Sequence, residues 1–113
     1  MNLKNLNECI VFNDNQLTKK IAFNDDEVLG FVLNLKAGHT LPVHQHNDSA
    51  LTLLVLQGSA ELQVGNDVQK IQKGTAVMAK GKEEFGIPKV YEDISLFVIL
   101  SPKPSDPKFS KEI

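Results

Sequence analysis

All three histidines of the chain lie in the stretch from Gly38 to His46, at His39, His44 and His46. On an extended strand residues i and i+2 face the same side, so the imidazoles of His44 and His46 converge on one point while Gln45 turns away. Two such rings are half of a metal site. Imidazole suits zinc, iron, nickel and copper, and a site on a protein ordinarily adds at least a third donor and leaves a position for water or substrate. The same pair serves equally to line a polar cavity and hydrogen-bond there. A neutral histidine with a pKa of about 6.5 also suits metal-free proton transfer near neutrality. Further donors are scarce. His39 is an odd number of residues from His44 and faces outward on a regular strand, unless a bulge near Pro42 turns it in. Asp48, Glu83 and Glu84 sit in charged loops, which normally stay solvated.

The elements that must position these side chains are strands. Leu17, Lys19, Ile21 and Phe23 alternate with Thr18, Lys20 and Ala22, and the run ends at Asn24, Asp25 and Asp26. A short first strand is expected at Cys9 to Phe12. Val28 to Leu35 and Leu51 to Gln57 are apolar on both faces, so both should be covered on both sides. Gly65-Asn66-Asp67 is a turn signal that joins Ser59–Val64 to Val68–Gln72 as a hairpin. Thr75 to Ala79, a short apolar segment at Phe85 and Ile87, and Ile94 to Leu100 complete the set. Beyond them Pro102, Pro104 and Pro107 mark residues 102–113 as a proline-rich carboxy-terminal arm, extended or frayed, that cannot join a central ladder. No helical periodicity of useful length interrupts this pattern. Short strands with turn chemistry between them predict an all-β protein, a closed or nearly closed barrel.

With 113 residues the chain makes one domain, residues 1–113. A content of 42% hydrophobic and 23% charged residues argues for an ordinary globular core rather than disorder. The net charge of -2, with no dense basic run, gives no attraction for nucleic acid. No apolar run is long enough to span a bilayer and no cleavable leader is visible, so the expected location is cytoplasmic, with no membrane partner. Cys9 is the single cysteine, which excludes an intrachain disulfide and reads as a small buried apolar residue. Three strongly apolar strands carry more surface than one barrel hides, which predicts a homodimer with Leu54 and Leu56 among the outward-facing residues. The lone Tyr91 and the lysines near Lys80 read as surface residues. No Gly-rich phosphate loop, Gly-x-Ser-x-Gly elbow or Cys-x-x-Cys pair is present.

The spacing of Gly38, His44-x-His46 and Gly58 resembles the first motif of the cupin superfamily, and the region from Gly74 resembles the second. The hairpin of Ser59 to Gln72 falls where cupins have theirs. The resemblance implies a double-stranded β-helix, a jelly-roll barrel, with the histidine strand facing inward. It also implies a metal held by the two histidines, a glutamate after them and a histidine of the second motif. Here those last two positions are Leu51 and Phe85, neither of which has a lone pair to offer. The expected site is therefore a partly apolar pocket of His44, His46, Leu51 and Phe85 that binds a small organic molecule. The alternative is a metal-dependent oxygenase, isomerase or hydrolase, with His44 and His46 holding a divalent zinc, iron, nickel, manganese or copper ion.

Overall fold

A computed structural model describes all of residues 1–113. Its seven strands are β1 (Thr18–Asn24), β2 (Leu29–Leu35), β3 (Leu41–His44), β4 (Ala50–Val64), β5 (Asp67–Gln72), β6 (Ala76–Ala79) and β7 (Phe85–Ser101). Two 3₁₀ turns, η1 (Leu6–Cys9) and η2 (Pro107–Ser110), flank them.

Two long antiparallel strands, β4 and β7, form the spine of the molecule. The first half of β4 pairs with the last half of β7, and β2 and β6 extend that sheet on either side, with β1 beyond β2. The second half of β4 pairs with the first half of β7, and there the outer neighbours are β5 and β3. Each long strand thus passes from one sheet to the other, and the two sheets close over a single core of buried Leu, Ile, Val and Phe. This is the double-stranded β-helix expected of the sequence.

The passage between sheets requires the strands to bend. Register shifts cluster between Val55 and Ala60. Before them Leu51, Leu53 and Val55 point inward, and after them Ala60 and Leu62 do. A bulge adds one residue to one strand and so exchanges its faces, which keeps apolar residues inside as β4 changes sheet. Gly58 lies at the centre of the bend with φ +84°.

Several expectations are corrected. Leu51–Gln57 and Ser59–Val64 are one strand, and Phe85–Ile87 and Ile94–Leu100 are one strand, because bulges rather than turns separate their halves. No strand forms at Cys9–Phe12. Cys9 ends η1 and is buried, and its carbonyl accepts from the Asn34 side-chain amide at 2.9 Å. The same amide donates to the Thr18 hydroxyl at 3.0 Å, and Ser95 Oγ donates to Asn34 Oδ1 at 2.7 Å. This buried network ties the amino-terminal segment to β1, β2 and β7 without leaving a polar group unpaired. Phe23 does not share a face with Ile21, since the register shifts between them and Phe23 pairs with Gly30. It packs edge-on against Phe97 at 6.5 Å instead. Leu54 is 40% exposed and Leu56 is partly buried.

The arm is neither extended nor frayed. The Ser49 hydroxyl donates to the Pro102 carbonyl at 2.6 Å, η2 forms with Asp106 capping it, and Ile113 exchanges two backbone hydrogen bonds with Lys19 at 3.1 and 3.0 Å. The prolines keep residues 102–107 out of the ladder, but the end of the arm covers the free edge of β1.

Candidate functional site

The arm, β1, β2 and the histidine strand meet over one end of the barrel. His44 is the last residue of β3 and sits opposite Phe85 in the ladder. His46 lies just past the strand, where its backbone N–H donates to the Gly81 carbonyl at 2.8 Å and its carbonyl accepts from Ser49 N–H at 3.1 Å. Asn47 takes the left-handed conformation, with φ 47°, to close this turn. The rings of His44 and His46 stand edge to face with centroids 4.7 Å apart. The expected convergence of the two imidazoles is thus present.

Phe85 packs against both rings, at 5.8 Å from His44 and 6.2 Å from His46. The Phe109 ring, brought over by η2, lies 5.3 Å from His46. Behind the rings is a cavity of about 170 Å³, and His44, His46, Leu51 and Phe85 all line it. Nine of its twelve lining residues are hydrophobic; the other three are His44, His46 and Lys19. A wider groove of about 490 Å³ between β5 and β6 has no histidine in its walls.

The histidines differ in their surroundings. His44 Nδ1 is 3.0 Å from the Pro42 carbonyl, and since a carbonyl only accepts, Nδ1 carries a proton, which leaves Nε2 as the nitrogen without a protein partner. His46 is 6% exposed. Burial, helped by the charges of His44, Lys19 and Lys108, lowers its pKa from 6.5 to about 4. It is neutral at physiological pH. As pH falls, the unfolded chain takes up a proton on this side chain near 6.5 but the folded protein only near 4, so stability falls through that window and levels off below it. At ~1.4 kcal/mol per pH unit over the interval from 6.5 to about 4, the loss is at most about 3.5 kcal/mol. Urea unfolding between pH 7 and about pH 4 checks this. The wild type is expected to lose stability more steeply than His46→Gln, and parallel curves would contradict the assignment.

The other histidine and the loop carboxylates are elsewhere. His39 Nδ1 accepts from Lys36 N–H at 3.2 Å and its Nε2 donates to the Asp14 carbonyl at 3.1 Å, so it fastens a turn. Asp48, Glu83 and Glu84 are exposed, and Glu83 accepts from Lys80 N–H at 3.0 Å. Tyr91 is exposed and donates to Glu61 at 2.7 Å. Nowhere do three His, Cys, Asp or Glu side chains converge. Leu51 and Phe85, 1% and 2% exposed, fill the places where two more donors are implied by the cupin resemblance. Two neutral imidazoles without a carboxylate leave a divalent charge uncompensated, and a metal-bound histidine ordinarily has its other nitrogen fixed by a partner, which His46 lacks. The residues present do not fit a resident metal ion.

Sequence reasoning missed Lys19, Phe109 and Ile113. Lys19 left a signal: it is a charged residue on the apolar face of β1, between Leu17 and Ile21. The two arm residues left none, because only the closed barrel gives the arm a surface to return to.

No protein-family model and no curated protein matches the chain. Solved structures do. The TT1209 protein from Thermus thermophilus superposes with a TM-score of 0.84 at 24% identity, over 92% of this chain and 100% of that one. An RmlC-like cupin from Desulfovibrio desulfuricans gives a TM-score of 0.81 at 27% identity, over 90% of this chain and 97% of that one. A Klebsiella pneumoniae protein with a double-stranded β-helix domain gives 0.83 at 18% identity, with 92% of both chains covered.

Proposed function

We propose that this chain, a small protein of the cupin superfamily, binds a small, largely apolar organic molecule in the cavity beside His44 and His46. The observation that carries this reading is the composition of the cavity: nine hydrophobic residues out of twelve, with the polar groups confined to one lysine and two imidazoles. Ligand sites are typically apolar with a few placed polar groups. At about 170 Å³ the cavity is smaller than the ~300–1,000 Å³ usual for drug-sized ligands, so the occupant is small. A metal-dependent oxygenase, isomerase or hydrolase would require a donor that Leu51 and Phe85 do not supply. The homodimer remains part of the proposal, with the exposed Leu54 on the outer face of β4 as its contact.

A thermal-shift screen of small organic fragments on the wild type and His44→Ala tests the reading. A ligand at ~100 times its Kd stabilises by about 2.7 kcal/mol, a Tm rise on the order of 10 °C in a domain of this size. Fragments whose shift shrinks in the variant are expected. If no fragment raises the wild-type Tm, the proposal fails.

A further inference from the structure

Lys19 is 7% exposed, with its side chain inside the barrel rather than in water. Its ammonium lies over the Phe31 ring, 4.4 Å from the centroid, and donates a hydrogen bond to the Phe109 carbonyl. It has no carboxylate partner. The ion pairs of the molecule are Lys4–Glu8, Lys36–Asp14 and Lys108–Asp106, all on the surface. The cavity that Lys19 lines contains no acidic side chain and no hydroxyl. A buried cation without a counter-ion is costly. A ring face and one backbone carbonyl offset part of that cost but neutralise no charge.

We infer that the ligand of this cavity is a small organic carboxylate, bound with its head on Lys19 and its apolar body among Leu51, Phe85 and Phe31, in place of the Phe109 carbonyl. The inference rests on the ligand-binding reading above and names its substrate class. Each part of the cavity selects for that class. The ammonium supplies a charge-assisted hydrogen bond. The ring nitrogens of His46 take no bond from the protein, so a neutral His46 has one N–H to offer a second oxygen. The walls are hydrocarbon. A cation meets Lys19 with like charge, and a neutral molecule leaves the ammonium without a counter-ion.

The arm fits the same account. The Phe109 carbonyl is an oxygen held on Lys19 by a single short turn, η2, while separate contacts anchor the arm on either side of it. These are Ser49 to Pro102, Ile21 N–H to Glu112 at 2.7 Å, and the two backbone bonds between Lys19 and Ile113. Exchange of that carbonyl for a ligand oxygen asks only the turn to shift. Burial holds the Lys19 pKa below the ordinary lysine value, and an anion on the ammonium would reverse this.

Titration calorimetry with matched probes tests the inference: benzoate against benzamide and benzyl alcohol, and isovalerate against isovaleramide, on the wild type and on Lys19→Met. The carboxylates are expected to bind the wild type at least tenfold more tightly than their neutral partners, and Lys19→Met to lose that preference. The comparison on the wild type stands even if the variant folds poorly. Equal binding of acids and amides would overturn the carboxylate inference and leave the apolar-ligand reading in place. Failure of every probe, together with an empty fragment screen, would overturn both.

Discussion

Alanine at Gly58 is expected to lower the stability of the protein by about 3 kcal/mol or more, or to prevent folding, although it adds a single methyl group. A Cβ at this position would lie 2.0 Å from the Asp93 carbonyl oxygen and 2.7 Å from both Asp93 C and Ile94 Cα. These are backbone atoms of β7, so no side-chain rotation can relieve the collision. The φ of +84° adds a conformational cost that glycine does not have. Left-handed strain and overpacking each cost about 1–3 kcal/mol, and here they act together. Gly38→Ala is the control: its φ is +92°, but nothing lies within 4 Å of the added Cβ, so it should lose only about 1 kcal/mol. Urea midpoints measured on both variants decide the matter. A Gly58→Ala midpoint equal to that of Gly38→Ala would show that the close crossing of β4 and β7 is not required for the fold.

Phe85→Ala has the second large effect, and it reaches the cavity directly. Phe85 is 2% exposed, pairs with His44 across the ladder and packs against both imidazoles. Phenylalanine-to-alanine changes in cores cost about 3–5 kcal/mol, from lost burial and from the void left behind. The void here would join the existing cavity. Water admitted beside His46 would reduce the burial that holds its pKa near 4, so its titration should move back toward 6.5. Chemical denaturation gives the first number and an NMR titration of the His46 ring gives the second. An unchanged His46 titration would mean that Phe85 does not keep that ring dry. Phe85→Leu, which keeps most of the volume, should show both effects weakly.

Much of the fold was legible because its signals are local. Alternation marked the edges of most strands, and Gly65-Asn66-Asp67 marked the hairpin of β4 and β5. The spacing of His44 and His46 placed their rings together, at 4.7 Å. The bulges were not legible. Nothing in Leu51 to Val64 says that the inward face changes near Gly58, because a glycine after an apolar run reads equally as a turn or as a bend in a continuing strand. The same ambiguity split β7 in two. At Phe23 a one-residue slip against β2 moved the ring to the opposite face, and strict alternation has no means of anticipating it.

By itself the sequence determined that the protein is all-β, that two histidines share one face, and that Leu51 and Phe85 replace donors a metal would need. The first two follow from residue identity and from a two-residue period, which any stretch of strand carries with it; the third is what the resemblance of the motif spacing to cupins implies. Only the tertiary structure decided that Lys19 is a buried cation, that Phe109 caps His46, and that the arm returns to β1. Lys19 and Phe109 stand 90 residues apart in the chain and meet because β4 and β7 bend the sheets closed between them. The two-histidine stretch therefore acquires its chemical character, a dry and positively charged cavity, from residues that no local pattern connects to it.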